Sequence, residues 1–548
     1  MYIRKITRKN KDGSTVTYVQ LAHNERHPQK GCAVAKIIYN FGRIDELDVD
    51  QLKRLTRSIS RFLSPEDALE AKAALELGAD NLKFKSCRSY GGIYLLAALW
   101  QQLQLEKILT KDLQHSKFQA PVSNAIFAMV ANRCLAPSSK LAVTDWVARD
   151  VHIPGLEEVD VQVLYRAMDY LLEHQEKLEK EIFWSVSTLL NLEVDLLFFD
   201  TTSTYFETEE LSDLKKRGYS KDKRADLPQV VIGLAVNRDG IPVKHWVFPG
   251  NTADMNTIER VKNDLVGWQL GRCIFVHDAG MTSEDNLQYL QRAGGHYIVG
   301  RKLKSSEPAA EAALSHKGPY TEIKENLSAR EVTLGGNGEK RKRLVLVRNS
   351  EEEKKQLLVR QQIVAAIEKK LEEINSRKGQ AHTKATCALK SHAVYGKYVK
   401  ELHDGRLKLD KGKVAEESRY DGKFLIETSD DTLSLSDIVM GYKQLNDVEL
   451  AFRTLKTTLE LRPNYHSKDE RIRCHIFLCF LALVLARIAE YKTGSTWPSI
   501  RQEMSRLQLG QFLIDHKTVS QLTELTLQQK NILKQLGIKE PAAIVDIQ

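Results

Sequence analysis

Hydrophobic residues recur along the chain with three different spacings, and each spacing predicts a different kind of element. From Tyr2 to Phe41 they alternate with polar residues: Tyr2 to Thr7 and Thr15 to Leu21 flank Asp12 and Gly13, a hairpin signal, and Ala33 to Phe41 supplies a third strand. Residues 1–45 therefore read as a small β unit. From 46 to 190 the apolar residues fall at three- and four-residue intervals with few breakers, as in Tyr94 to Trp100 and Gln162 to Leu190. That periodicity predicts a helical domain of about six helices. Its helix pairs fit a DNA-binding helix-turn-helix or ordinary helical hairpins, and the pattern leaves both open.

The third spacing is the short unbroken apolar run. Asp195 to Asp200 reads as a buried strand ending in a carboxylate, and Val230 to Val236 with Val243 to Phe248 as a hairpin turning at Asn237 to Gly240. A helix near 257–270, a strand at Cys273 to Asp278, a helix near 283–294 and a strand at Tyr297 to Gly300 follow. The order βββαβαβ is that of an α/β ribonuclease-H-like domain, three antiparallel strands and then two parallel ones between helices. Residues 191–302 form its first part, but the helix expected to close it does not come next. Residues 303–426 intervene as a β-rich insertion, with strand-like pieces at Arg341 to Val347 and Lys423 to Thr428 and a charged helix near 351–377. Helical periodicity resumes near Ser436 and is expected to run on to Leu461, so that 427–490 carries the closing helices and 491–548 a helical C-terminal region. On a continuous closing helix Val448, Phe452, Leu455 and Leu459 make an apolar stripe, and Tyr442, Glu449, Arg453 and Lys456 make the stripe beside it.

Composition narrows the class. The 548 residues are 42% hydrophobic and 28% charged with 30 Gly and 13 Pro, which fits several packed domains and excludes collagen-like or disordered chains. Seven cysteines without a Cys-x-x-Cys pair support neither a disulfide framework nor a zinc knuckle and suit a reducing cytoplasm. The N-terminus lacks the apolar stretch of a signal peptide. The longest apolar run, Ile476 to Ala486, falls short of the roughly 18 residues of a membrane span, so no membrane is expected. The net charge of +9 is local, because residues 301–426 hold 28 Lys and Arg against 18 Asp and Glu. Its sharpest cluster, Lys340, Arg341, Lys342 and Arg343, fits a solvated turn or a phosphate-facing patch.

Asp200 and Asp278 each end an apolar strand, and the expected topology sets those two strands side by side. Converging carboxylates repel when ionised, so the arrangement favours a hard divalent cation. Two Mg²⁺ ions about 3.5–4 Å apart can activate a water or 3′-hydroxyl and stabilise a departing oxygen. Glu449, on the closing helix, would be the third ligand. Ordinary readings stand beside this one. A strand-end Asp caps turns, Asn446 and Glu449 have capping-box spacing, and Glu449 with Arg453 has the spacing of a helical ion pair. His277 and His475 have no companion at metal-ligand spacing and read as structural.

The sequence resembles the DDE transposases of bacterial insertion sequences, in the group with a Tyr-Arg-Glu-Lys signature and a β-rich insertion before the final Glu. The likeness is carried by Phe199 to Thr202, Gly218 to Leu227, Phe248 to Asn251, Val276 to Gly280 and Tyr442 to Lys456, and extends from the N-terminal strands to at least Leu485. It implies that Asp200, Asp278 and Glu449 form a catalytic metal-binding triad using Mg²⁺, for which Mn²⁺ can substitute, and that Tyr442 and Lys456 hold transposon-end DNA. Leu445 stands where the signature has Arg, and Arg453 is the candidate to supply that guanidinium. The resemblance further implies binding of terminal inverted repeats, cleavage at the ends, and joining of the freed 3′-hydroxyl to target DNA. Double-stranded DNA is then the partner, a homodimer on DNA the expected assembly because two ends must meet, and the bacterial cytoplasm and nucleoid the setting. A metal-dependent nuclease with the same triad and a catalytically inactive DNA-binding protein are the alternatives.

Overall fold

The alternating N-terminal pattern forms three antiparallel strands, β1 (Tyr2–Lys9), β2 (Thr15–Arg26) and β3 (Ala33–Arg43). The computed structural model describes residues 1–10, 14–26, 33–60, 62, 83–111, 122–192, 194–270, 273–304, 308–335, 342–514 and 517–547, so the Asp12 and Gly13 turn lies outside the described residues. The chain divides into two units, Met1–Phe84 with Phe512–Thr518, and Lys85–Gln511 with Val519–Gln548. After strand β4 (Lys83–Ser89), the described residues up to 190 hold the helices Gly91–Gln102, Leu105–Thr110, Val122–Leu135, Lys140–Arg149, Val161–Glu173 and Gln175–Leu190. Two of them, Val122–Leu135 and Val161–Glu173, pack on the helix Asp469–Thr493. That helix is apolar on every side, as a core helix must be. It is long and apolar enough to cross a membrane, yet 89% of its most apolar stretch is buried by its neighbours.

The short apolar runs become one sheet. Its strands are β5 (Leu196–Tyr205), β6 (Gln229–Asn237), β7 (Pro242–Pro249), β8 (Ile274–His277), β9 (His296–Arg301), β10 (Thr321–Lys324), β11 (Leu327–Leu334) and β12 (Lys342–Asn349) and, past the small hairpin β13 (Val399–Glu401) and β14 (Leu407–Leu409), β15 (Lys423–Thr428). The spatial order is β10-β11-β12-β15-β9-β8-β5-β6-β7. Strands β5, β6 and β7 are antiparallel, and β5, β8 and β9 run parallel, in agreement with the expected order. Leu196 and Phe198 of β5 point into one core, and Leu197 and Phe199 into the other. Burial on both faces is why this strand reads as an unbroken apolar run.

The strands of the insertion continue the sheet, with β15 pairing antiparallel on β9 and β12 on β15. Without β15 the edge of β9 would expose unpaired backbone groups. The helices Ser350–Asn375 and Gly379–Lys390 and the β13–β14 hairpin share a small core of their own around Ile367, Leu371, Leu389 and Tyr398.

The closing helix is not continuous. It is split into Leu435–Lys443 and Asn446–Arg453, followed by a π-helical turn at Thr454–Thr458. The first piece packs over β8, β9 and β15, and the second over β5 and β6. One straight helix cannot track both halves of a twisted sheet. The C-terminal region is mixed rather than helical, since Gln508–Ile514, Lys517–Leu522 and Ile544–Ile547 are strands beside the helices Trp497–Met504 and Leu527–Gln535. Segments of seven and six residues, Gln508–Ile514 and Lys517–Leu522, are too short for the helical period to be told from the strand period.

A buried charge cluster joins two layers. Glu179 of helix Gln175–Leu190 lies 2.6 Å from His245 Nδ1 and 3.5 Å from Lys244 Nζ of β7, and also accepts the His245 backbone N–H at 2.9 Å. Burial would raise its carboxyl, but His245 and then Lys244 hold it below the ordinary carboxylate value. Truncating one partner of a buried network costs about 3–5 kcal/mol because the other charges are left unpaired. Glu179→Ala is accordingly expected to lower the unfolding midpoint strongly, measured by thermal or urea denaturation, with Glu179→Gln intermediate.

Candidate active site

The parallel pairing of β5 with β8 places the first two carboxylates. Leu196 lies opposite Ile274, Leu197 opposite Phe275 and Phe198 opposite Val276. Each carboxylate lies two residues beyond the last of these partners, Asp200 still within β5 and Asp278 just past the end of β8. Asp200 is half-buried and accepts the Thr201 N–H at 2.7 Å. Its neighbour is Lys221, whose ammonium lies 3.5 Å from Asp200 Oδ1 and 3.3 Å from Asp254 Oδ2, and donates to the Thr201 carbonyl at 2.6 Å. The Thr201 hydroxyl donates to Asp254 at 2.5 Å. Burial raises the Asp200 carboxyl above its ordinary value, against the opposing charge of Lys221.

Asp278 follows the last residue of β8 and is exposed. Its Oδ1 accepts the Tyr442 hydroxyl at 3.1 Å, and burial, with Asp278 behind it, raises the Tyr442 phenol. The ring can reach across β9 because Gly300 lies beneath it. A Cβ at that position would stand 2.3 Å from the Tyr442 oxygen. His277, fully buried, lies with Nδ1 2.9 Å from the Asp278 carbonyl, and burial lowers it to about 4. It is a structural histidine.

Glu449 is exposed on the helix Asn446–Arg453, whose Val448, Ala451 and Phe452 face the core. Neither ordinary reading of it holds. The helix is capped at Leu445 without a side-chain bond, so Asn446 and Glu449 make no capping box. Among the described residues no ion pair joins Glu449 to Arg453, and the Arg453 side chain is exposed. Lys456 is engaged instead: its ammonium donates to Asp222 at 2.9 Å, and Asp222 also lies 2.8 Å from Arg462 Nη1. The second contact is an ion pair by distance, although its angle is not that of a hydrogen bond. Burial lowers the Lys456 amine, opposed by Asp222. Leu445, at the position of the signature Arg, packs against the core beside Tyr442.

The basic cluster of the insertion divides. Lys340 and Arg341 lie outside the described residues. Lys342 pairs with Glu284 at 2.7 Å. Arg343, buried in β12, bonds Glu331 through two nitrogens at 3.0 Å and donates to the carbonyls of Asp430 and Leu433 at 2.9 Å. Arg343 is therefore a structural latch and not a phosphate-facing cation: it lies within β12, an interior strand whose neighbour β11 supplies the carboxylate.

Asp200 and Asp278 offer only oxygen donors, which suits Mg²⁺. Among the described residues, however, no three His, Cys, Asp or Glu side chains are gathered closely enough to hold a metal ion, and Glu449 is not drawn to the other two. Sequence reasoning missed Lys221, Asp222 and Asp254. The first two lie inside the word Gly218 to Leu227, which carried the resemblance without a role. Asp254, three residues past Asn251, had no signal of its own. The close fit of this loop depends on Gly250, where a Cβ would stand 2.0 Å from the Gln229 carbonyl and 2.2 Å from that of Lys216.

Two family models match the chain. Residues 195–485, more than half of the chain, match the family model described as transposase DDE domain, and residues 3–72 match that of the N-terminal domain of IS1634 family transposases. No curated protein matches the sequence significantly. Among solved structures, the cryo-EM structure of a piggyBac transposase synaptic complex with hairpin DNA is similar over 74% of this chain and 77% of that one, at 8% identity and a TM-score of 0.36.

The Asp222 ion pairs make a stability prediction. Asp222→Asn leaves two cations without their carboxylate and is expected to destabilise the protein. A double-mutant cycle with Lys456→Met should return a coupling of about 1–3 kcal/mol in unfolding free energy. A coupling near zero would show that Lys456 is free of Asp222 in solution.

Proposed function

Because the chain belongs to the DDE transposase family, we propose that it cuts the ends of its own mobile element and joins the freed 3′-hydroxyls to target DNA. The observation that supports this reading is the parallel pairing of β5 with β8, two neighbouring strands that lead to Asp200 and Asp278, under a closing segment whose second piece carries Glu449, for which no ion pair or hydrogen bond is found among the described residues. Asp200, Asp278 and Glu449 would hold a divalent cation, Mg²⁺ with Mn²⁺ as a substitute. Bound there it would polarise a phosphoryl oxygen and lower the pKa of an attacking water or hydroxyl.

The chain's own residues have separable tasks in this reading. Tyr442 orients the Asp278 carboxylate by donating to one of its oxygens, leaving the other for a ligand. Lys221 compensates the charge of Asp200 and Asp254. Arg453, one helical turn beyond Glu449 and exposed, is the cation available to a DNA phosphate on this helix, while Lys456 works through Asp222. Two ends must be handled together, so the working form is a homodimer on DNA.

The test uses duplex DNA carrying the inverted repeats that flank the gene. Glu449→Gln keeps side-chain volume and is expected to reduce Mg²⁺-dependent end cleavage by about 10²-fold or more, the scale of losing a preorganised electrostatic contact in a transition state. Folding and end binding should remain. Asn446→Ala caps nothing here and is expected to change stability by less than about 0.5 kcal/mol and to leave cleavage intact. Cleavage at the wild-type rate by Glu449→Gln would remove Glu449 from the site.

A further inference from the structure

A second site lies beyond the closing segment, where the chain passes from Arg462 to the helix Asp469–Thr493. A cavity of about 610 Å³ opens there, lined by Arg133, Lys140, Tyr165, Tyr465, His466 and His475 among others. Its charge is one-sided. Arg133 is 3% exposed, Lys140 4% and His475 2%, and among the described residues no ion pair reaches Arg133 or Lys140. Arg133 donates to the carbonyls of Glu460 and Ser138, but its Nε has no partner. Lys140 has no hydrogen-bond partner among the described residues. His475 Nε2 lies 3.1 Å from the Leu461 carbonyl, and its Nδ1 is unpartnered.

Electrostatics agree with the geometry. Burial, and after it Arg133, lowers the Lys140 amine to about 7, and burial, followed by Lys140, Arg471 and Arg133, lowers His466 to about 4. Arg471 has its own carboxylate, Asp169, at 2.7 Å. Buried charges in proteins are normally paired, because an unpaired one costs several kcal/mol. Here two cations converge without an acid. Lys140 is moreover the first residue of the ten-residue helix Lys140–Arg149, whose amino end adds partial positive charge.

We propose that this cavity is a phosphate-binding site, in which the Lys140 ammonium and the Arg133 guanidinium receive a phosphate group. A volume of this size exceeds that of a phosphate ion and suits an attached sugar and base. Tyr165 and His466, with ring centroids 6.2 Å apart, and the exposed Tyr465 supply aromatic faces beside it. The phosphate can come from a DNA strand or from a free ion. The first source rests on the transposase reading and the second does not.

The test compares the full chain with Lys140→Met and Lys140→Arg. Thermal unfolding is followed in sodium phosphate and in sodium chloride of matched ionic strength, and binding of a duplex DNA is titrated at several salt concentrations. Lys140→Met removes an unpaired buried charge, so it is expected to fold and to unfold no lower than wild type in chloride. Phosphate is expected to raise the midpoint of wild type and Lys140→Arg above that in chloride, and not that of Lys140→Met. If a DNA strand is the occupant, Lys140→Met also flattens the slope of log K against log salt by about 0.9, the value of one phosphate contact. A phosphate-specific rise with an unchanged slope assigns the site to a free phosphate. No phosphate-specific rise together with an unchanged slope overturns the proposal, whatever Glu449→Gln does to cleavage.

Discussion

The register between β5 and β8 governs everything at the candidate site. Both strands are buried on both faces, with Phe198 and Val276 in one core and Phe199 and Phe275 in the other. A slip of one residue would exchange these faces and turn Asp278 toward the wrong layer. The carboxylates therefore owe their placement to apolar packing several residues upstream. The helices on the Phe198 side then decide which other groups can approach, and they bring Tyr442 directly onto Asp278.

The loop from Leu214 to Leu227 ties the two halves of the site together through adjacent residues with opposite tasks. Lys221 faces Asp200 and Asp254, while Asp222 collects Lys456 and Arg462 from the closing segment. The loop thus brings positive charge to Asp200 and Asp254 and negative charge to the two cations of the closing segment. Both exchanges occur in half-buried surroundings, where charge pairs are screened less than at an open surface.

The insertion shows how little a regional charge count says about free charge. Its excess of basic residues is real, yet Lys304 pairs with Glu417, Arg348 with Glu353, Arg360 with Asp421 and Arg343 with Glu331. The last pair joins two strands of the sheet, β12 and β11, and Arg348 with Glu353 joins β12 to the helix that follows it. In the cavity around Lys140 the opposite holds: the sequence has no basic run there, and yet cations converge from separate helices without a carboxylate among them.

Outside β4 and the C-terminal region, periodicity alone determined the kinds of element, the order β5 to β9 along the chain and the two strand-end aspartates, because buried strands and amphipathic helices impose their spacing on the chain locally. Motif resemblance singled out Glu449 and Tyr442. Tertiary structure decided what these could not reach. It broke the closing helix so that its pieces could follow a twisted sheet, merged the insertion strands into that sheet to cover the β9 edge, and turned Arg343 inward. It also paired Lys456 with Asp222 across 234 residues of sequence, and gathered Arg133, Lys140 and His475 around one cavity. Ion pairs and cavities of this kind leave no periodic trace, since their partners are chosen by packing between distant segments and not by spacing along the chain.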